Sequence, residues 1–600
     1  MLLQLALTGL KRRFKDYLVL FSGLIVASMV FYMFLALAVN PSFYRHNITI
    51  GAAYLSFIFG FGIVILSIIT FIYLIYANSF LLSMRQHDYG MFLILGAKRG
   101  RISLLVILET VITGLLATCS GIILGLGFTG LVGKLLIGQL DLEIHHFQAF
   151  VPQAVLWTFV FFLVVFCLSA LWNVQKLFRS RLLELLQEKQ KPVKINQHPL
   201  WQIFEAIIGL VLLAIAYAAM NSLGSLLFIS FFVGFFGVLL GSYFLFHSFF
   251  SVLITALLKR RSFAYRRLRL FTLGQLKFRL PAYTRILTMT SVLFALALGA
   301  ITVGGRFHSM QREFSKSSYY AMLVTQHEPA TKHQLAKLHA PVMPIYHYKV
   351  TPKGRYLNRA EFRRQPLRGI RFQPQNSQYH DSQYHAYTYP LREVTRLSGQ
   401  PGYLLNQLVH STGTTKMLSS SRYRRIRGKE RWLQLIHVPD LVKDYQTIKQ
   451  LAKLEAKAQP ASKDLLTLFG LTNYQAGLGL TSGFQFMGLF LGIAFLTMLA
   501  STLMFKVLSA ASDDRLRYRM LIKIGTREQL LKRSIHVELA SLFILPAVLG
   551  MVDVLVGLNM FKSLITRPWQ GIWLPFLLFA MLYAGYYVLT VKLYERSVLN

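Results

Sequence analysis

AYLSFIFGFGIVILSIITFIYLIYAN, residues 53–78, runs without a single charged side chain. A helix of that length exceeds the roughly 30 Å of hydrocarbon in a bilayer, and a soluble helix so long would show a polar stripe. The stretch predicts a membrane span. Working outward, comparable apolar runs lie at 17–39, 102–133, 153–175, 202–220, 225–250, 283–304, 482–508, 535–560 and 573–593, which makes ten. Composition agrees: 54% of the residues are hydrophobic, with 47 Phe and 29 Tyr in a chain of 600. The run at 17–39 follows Lys11, Arg12, Arg13 and Lys15, yet it is too long for a signal-peptide core and lacks an A-x-A-like end, so it is read as a retained anchor.

The formal charge of +40 suggests nucleic acid at first sight, but Lys and Arg fall in short tracts between the apolar runs. That is the positive-inside pattern, and no nucleic-acid partner is expected. Basic residues follow the even-numbered spans: Arg85, Lys98, Arg99 and Arg101; Lys176 to Lys194; Lys259 to Arg269; and Arg515 to Arg533. The intervening loops 41–50 and 138–151 are poor in them, so both termini are expected in the cytoplasm of a multi-pass cell-membrane protein. Cys119 and Cys167, the two cysteines, lie inside apolar runs and build neither a disulfide framework nor a thiol metal site.

An internal repeat organises the spans. Shifting the chain by 266 pairs Leu10, Lys11, Arg13, Tyr17 and Val26 with Leu276, Lys277, Arg279, Tyr283 and Val292. Shifting it by 429 pairs Tyr89, Met91, Gly96, Glu109 and Gly121 with Tyr518, Met520, Gly525, Glu538 and Gly550. The expectation is an all-α polytopic membrane protein of two related four-helix units plus a two-helix bridge, with an α/β extracellular domain inserted. The boundaries read as 1–180 for the first unit, 181–260 for the bridge, 261–305 for the helix opening the second unit, 306–480 for the domain and 481–600 for the remaining three helices.

Met84 to Arg99 has charges, then apolar residues at helical spacing, then a glycine stop, which predicts a short helix ending near Gly96. Asp514 to Gly525 repeats the design. One such helix would be read as an interfacial cap; two matched copies on the cytoplasmic side suit docking onto a two-fold soluble partner.

These segments, the opening Gln4-Leu-Ala-Leu-Thr-Gly-Leu-Lys-Arg-Arg-Phe-Lys-Asp-Tyr17, and Glu109 early in the third span resemble FtsX-like ABC transporter permeases. Ten spans with one large outside domain between the seventh and eighth resemble the bacitracin-export (Bce-type) branch of Gram-positive bacteria. The resemblance covers the membrane portion end to end and is weaker within 306–480. It implies a separate cytoplasmic ABC ATPase homodimer, with ATP and Mg on that partner and none on this chain, and a role in antimicrobial-peptide resistance or sensing, often with a membrane histidine kinase. It also implies that Asp88, Tyr89, Gly90, Met91, Leu95 and Gly96, with Tyr518, Met520, Ile524 and Gly525, are the ATPase-coupling residues. His87-Asp88 and Leu516-Arg517 stand where that family carries a Lys/Glu-rich run.

No enzymatic activity is expected. There is no hydrolase triad, and no G-x-x-x-x-G-K-[ST]: Gly133-Lys134 is followed by Leu135, and position 128 is Phe. Glu109 and Glu538 sit about two turns inside their spans, where a carboxylate is a functional suspect by default. Pairing with a nearby base such as Arg101 or Lys532 is the preferred role, because both are shallow. Asp553 reads as the only other carboxylate deep in a span, and Gly121-x-x-x-Gly125 and Gly237-x-x-x-Gly241 read as helix-packing seams.

Residues 306–480 hold 27 Lys plus Arg against 10 Asp plus Glu, a net of +17. Such a surface repels polycations, so a cationic peptide would be met through an anionic companion such as a lipid pyrophosphate. Arg422, Arg424 and Arg425 are the densest candidates, although a solvated face near anionic headgroups explains them as well. Two Ser-Gln-Tyr-His copies supply Tyr379, His380, Tyr384 and His385; they lack metal-ligand spacing, and a flexible polar loop is the preferred reading. Strands are expected at 319–325, 342–350 and 432–438, and a helix at 441–457. A non-transporting sensor or scaffold, and an ion-coupled exporter, remain as alternatives.

Overall fold

The computed structural model describes residues 14–41, 50–140, 147–179, 199–221, 227–259, 269–325, 328–375, 381–397, 401, 404–405, 415–458, 469–563 and 569–599. Ten of its helices are long and apolar enough to cross a membrane, and they coincide with the ten expected runs. In chain order the membrane helices are α1 (Phe14–Ala38), α2 (Ile50–Ile94), α3 (Arg99–Leu140), α4 (Pro152–Arg179), α5 (Pro199–Asn221) and α6 (Leu227–Phe244). The sixth span continues through a π turn, Leu245–Phe249, into α7 (Phe250–Lys259), and α8 (Arg269–Ser309) is the seventh.

The two units pack alike. In the first, α1 lies against α2, α3 and α4; in the second, α8 lies against α15 (Gly470–Lys523), α16 (Glu528–Gly557) and α17 (Trp573–Leu599). The glycines fix the register of this correspondence. A Cβ on Gly121 would stand 2.7 Å from the Ile25 carbonyl oxygen, and one on Gly550 would stand 3.0 Å from that of Ser291. Those contacts are the same contact shifted by the sequence offsets of 429 and 266. Gly237 and Gly241 likewise bring α6 against Ala216 and Leu213 of α5. Between the units α15 packs on α1 and α2, and Tyr73 and Ser501 share a hydrogen bond of 2.9 Å.

After α8 come α9 (Gln311–Ser315), β1 (Met322–Val324), α10 (Pro329–Leu335), β2 (Ile345–Thr351), β3 (Gly354–Asn358), α11 (Arg359–Arg364), β4 (Arg368–Gln375), β5 (Asp381–Thr388), α12 (Leu391–Arg396), β6 (Thr415–Leu418), α13 (Ser420–Arg425), β7 (Lys429–Ile436) and α14 (Tyr445–Ala458). Five strands form one sheet in the order β1-β7-β2-β3-β6, antiparallel except for β3 with β6. The expected strands appear as β1, β2 and β7, and the expected helix as α14. Residues 382–385, expected in a loop, lie instead in β5, paired with β4 as a separate hairpin; a Gln- and Tyr-rich strand in a two-stranded ribbon lacks the apolar alternation that marks a sheet in sequence. Tyr379 and His380 lie outside the described residues.

Alternation on the sheet decides where the domain sits. Leu323, Leu433 and Leu435 face a core with Tyr346, Leu357 and Phe469, while Met322, Val324 and Ile436 face the other way. That second face joins Leu441, Ile448, Leu471 and Leu478 in an apolar core continuous with the helix bundle. The amides of Gly470 and Leu471 donate to the carbonyls of Tyr320 and Ala321 at 2.9 and 3.0 Å, clasping the start of α15 to the strand entry. α15 then runs 54 residues to Lys523, about 80 Å of unbroken helix.

On the far side of this core, Glu455 of α14 accepts from the Thr325 amide at 3.0 Å and from its hydroxyl. Burial pushes the Glu455 carboxyl above its ordinary range, outweighing those two bonds, and the charge of Glu328 adds to the rise. The folded chain therefore holds this proton more tightly than the unfolded one, and the stability it confers is lost as pH rises through the folded value. Glu455→Gln, which keeps the accepting oxygen, is expected to melt higher than wild type at pH 7 and to melt with it near pH ~4, where both forms are neutral. Thermal unfolding of the full chain at the two pH values checks this; a lower melting point at pH 7 would overturn it.

Candidate functional site

The expected coupling segments are not separate helices. They are the ends of α2 and α15, continuous with the spans before them. No Gly or Pro interrupts the chain between Gly62 and Gly90, or between Gly492 and Gly525, so nothing in the sequence stops either helix at the membrane edge. Both extensions end in the same cap. Gly96 has φ +87° and Gly525 φ +91°, the left-handed region that glycine enters without a Cβ clash. The Ala97 amide reaches the Phe92 carbonyl and the Gly96 amide that of Leu93; Thr526 with Leu521, and Gly525 with Ile522, repeat the pair. This is a Schellman closure in duplicate.

The cap turns one side chain in each copy outward. Leu95 is 82% exposed and Ile524 80%, with Met91 and Met520 about half exposed beside them. Tyr89 and Tyr518 face inward, at 3% and 2% exposure. Asp88 and Gly90 flank Tyr89 in α2.

The residue one turn before each tyrosine differs between the copies, Arg85 in the first and Asp514 in the second. The Tyr89 hydroxyl donates to Glu109 Oε2 of α3 at 3.0 Å, and the Arg85 guanidinium pairs with the same oxygen. Arg85 also lies 5.7 Å from the Tyr89 ring centre. The expected partner, Arg101, is exposed. Arg85 wins because it is on the neighbouring helix at the depth of Glu109, whereas Arg101 lies two turns nearer the helix start. In the second copy Asp514 occupies the position of Arg85 and accepts from the Tyr594 hydroxyl of α17 at 2.6 Å. Tyr518 packs there among Leu531, Ile535 and Leu539, Glu538 is buried, and Lys532 pairs with Glu528 at 2.8 Å.

Sequence reasoning missed other polar contacts inside the bundle. Tyr217 of α5 donates to Asp553 of α16 at 2.6 Å, which fastens the bridge to the second unit. Glu205, a further carboxylate within a span, accepts from Ser248 and shares a 3.1 Å contact with His247 in the π turn. Asn78 donates to Ser169 at 2.7 Å, tying α2 to α4. Only the π turn makes the second of these; an asparagine or serine at mid-span would have been the signal for the third.

In the inserted domain, α13 lays Arg422, Arg424 and Arg425 in solvent around a buried Tyr423. The Tyr423 hydroxyl donates to Glu430 at 3.0 Å, and burial together with that carboxylate pushes its pKa up. Lys349 of β2 closes the end of α13 through the Tyr423 and Ile426 carbonyls at 3.2 and 3.0 Å, and lies 4.9 Å from the Tyr423 ring. The three arginines are thus presented on a pinned helix that packs on β3. Tyr384 and the exposed His385 lie on the β4–β5 hairpin, which is a sheet apart, so the two sets of candidates occupy different structural units.

Residues 60–182, spanning most of α2 with α3 and α4, match the family described as FtsX-like permease C-terminal. The chain carries an FtsX-like permease domain. The resemblance read from Arg85 to Gly96 and Glu109 is therefore borne out, since both lie within the matched segment. Among curated proteins, the ABC transporter permease protein YxdM of Bacillus subtilis is 23% identical over 93% of each chain. The uncharacterized ABC transporter permease YvcS of Bacillus subtilis is 24% identical over 50% of this chain and 46% of its own length. The bacitracin export permease protein BceB of Bacillus subtilis is 22% identical over 50% of this chain and 47% of its own. The chain thus aligns with about half the length of YvcS and BceB, and with 93% of YxdM.

Proposed function

We propose that this multi-pass membrane protein is the permease subunit of an ABC transporter, driven by a separate cytoplasmic ATPase homodimer that binds the ATP and Mg. The observation that carries the reading is the duplicated cap, which sets one exposed aliphatic side chain, Leu95 or Ile524, at the tip of each long helix. Two equal apolar knobs on pseudo-two-fold arms suit the two equal grooves of a dimeric engine. Asp88, Tyr89, Gly90, Met91 and Gly96, with Tyr518, Met520 and Gly525, shape and seat those arms. On this reading the chain ends lie in the cytoplasm and the inserted domain outside.

Because α15 begins in the domain core and ends at the second tip, a push on the tip is felt in the domain. Domain binding would act on the tip by the same helix. The cargo or signal we propose is a peptide antibiotic, alone or complexed with a lipid pyrophosphate, since the domain's charge of +17 favours an anionic component. The exposed Arg422, Arg424 and Arg425 are the proposed contacts, Tyr384 and His385 secondary ones, and a membrane histidine kinase is a further proposed partner. Support for an antibiotic comes from the likeness to a protein named bacitracin export permease.

An ATPase gene beside this one is what the reading expects, and co-expression with its product is expected to yield a co-purifying complex whose hydrolysis rises when the permease is reconstituted. A chain that co-purifies with no ATPase, or leaves its hydrolysis unchanged, would return the choice to a non-transporting scaffold or an ion-coupled exporter.

A further inference from the structure

Asn78, Arg85 and Tyr89 of α2, Glu109 and Thr113 of α3, and Asn173 of α4 line one cavity inside the first unit. The space open there to a water centre is about 20 Å³, against the roughly 10–15 Å³ that one molecule requires. Two acceptors on its wall, Glu109 Oε1 and Asn173 Oδ1, have no hydrogen-bond partner among the described residues, although the residues are only 5% and 2% exposed. Whatever fills the cavity must therefore donate hydrogen bonds.

Charge and size select the donor. Arg85 and Glu109 already neutralise one another, so a cation would sit beside a guanidinium in a low-dielectric surround. An organic amine exceeds the space. Water donates twice, and it can accept the second Nδ2 hydrogen of Asn78, whose first goes to Ser169. That gives three bonds, the usual complement of a buried water.

The second unit is built differently at the same place. Asp514 replaces Arg85 and takes its bond directly from Tyr594 of α17, and Tyr518 packs against Leu531, Ile535 and Leu539. We propose that ordered water in the α2–α3–α4 cavity bridges Glu109 of α3 to Asn173 of α4, so that these two helices meet beside the first unit's arm through an exchangeable hydrated joint, while the arm itself stays bonded directly to Glu109 through Arg85 and Tyr89. A water bridge re-forms at a shifted geometry with little loss, so α3, carrying the arm, can shift against α4 without losing that contact. A part for this joint in coupling rests on the arms being the coupling elements; the water site rests on the cavity alone.

The two tyrosines provide the test, because both are buried to nearly the same degree, at 3% and 2% exposure. Full-length protein in lipid nanodiscs is exposed to X-ray pulses in ¹⁸O-labelled water, so that hydroxyl radicals born from bound water modify the nearest reactive side chain. Tyr89 is expected to be modified several-fold faster than Tyr518. Asn173→Leu, which removes one acceptor and fills the space, is expected to bring Tyr89 down to the rate of Tyr518. Equal, slow modification of both tyrosines in the wild-type chain overturns the water site, and that comparison decides the matter even where the variant does not fold. No ATPase enters the measurement, so failure of the permease reading leaves the labelling result standing, and the converse holds.

Discussion

Replacing Leu95 and Ile524 together by aspartate is expected to abolish stimulation of the partner ATPase while leaving the membrane protein folded. Both side chains are four-fifths exposed, so the fold has almost nothing to lose from the change. A partner that buries them has much to lose. Each aliphatic side chain taken from water contributes about 1.5–3 kcal/mol, and a carboxylate left in the same apolar groove adds its own desolvation cost. At 1.4 kcal/mol per decade, either single variant should weaken the complex by at least about tenfold, and the pair by at least about a hundredfold if the two sites are independent. Met91→Asp should cost less, because Met91 is only half exposed and covers the flank of the extension. Binding of the purified ATPase to reconstituted permease, followed by hydrolysis at saturating ATP, reads out both steps. Wild-type stimulation from the double variant would remove the caps as the coupling site.

The same caps show which parts of the architecture were legible in sequence. Gly96 and Gly525, 429 residues apart, could be matched because a left-handed cap tolerates almost nothing else, and the apolar periodicity before each was intact. Gly121 and Gly550 were matched for a related reason, since carbonyl oxygens of α1 and α8 approach where a Cβ would stand. Apolar length alone placed all ten spans. The continuity of α2 and α15 was also readable, from the absence of any breaker, but the change from apolar to charged residues near Arg85 and Asp514 marks the membrane edge and imitates a helix boundary.

Contacts between helices were not readable. Whether Glu109 meets Arg85 or Arg101 depends on the rotational phase of α2 against α3, which no periodicity in either helix specifies by itself. Asn173 is one polar residue on a helix with exposed leucines and tryptophans around it, and only the cavity gives it meaning. The β4–β5 hairpin escaped because its residues satisfy backbone pairing without building an apolar face.

Arg85→Ala is expected to be the most damaging single change in the first unit. It leaves the Glu109 carboxylate buried without its cation, and breaking one side of a buried ion pair costs about 3–5 kcal/mol. The Tyr89 hydroxyl bond remains, but a neutral donor offsets only a fraction of that charge. Adding Glu109→Gln removes the charge and keeps an acceptor for Tyr89, so Arg85→Ala with Glu109→Gln should recover most of the lost melting temperature. Glu109→Gln alone strands the Arg85 charge, which can extend its stem toward the membrane surface and so costs less. The second unit supplies a comparison: Asp514→Asn keeps a side-chain oxygen to accept from Tyr594 and is expected to cost less than Arg85→Ala. Melting temperatures of the four proteins of the Arg85–Glu109 cycle, taken in one lipid, give the coupling directly. Additive losses across the cycle would mean that the pair stores no interaction.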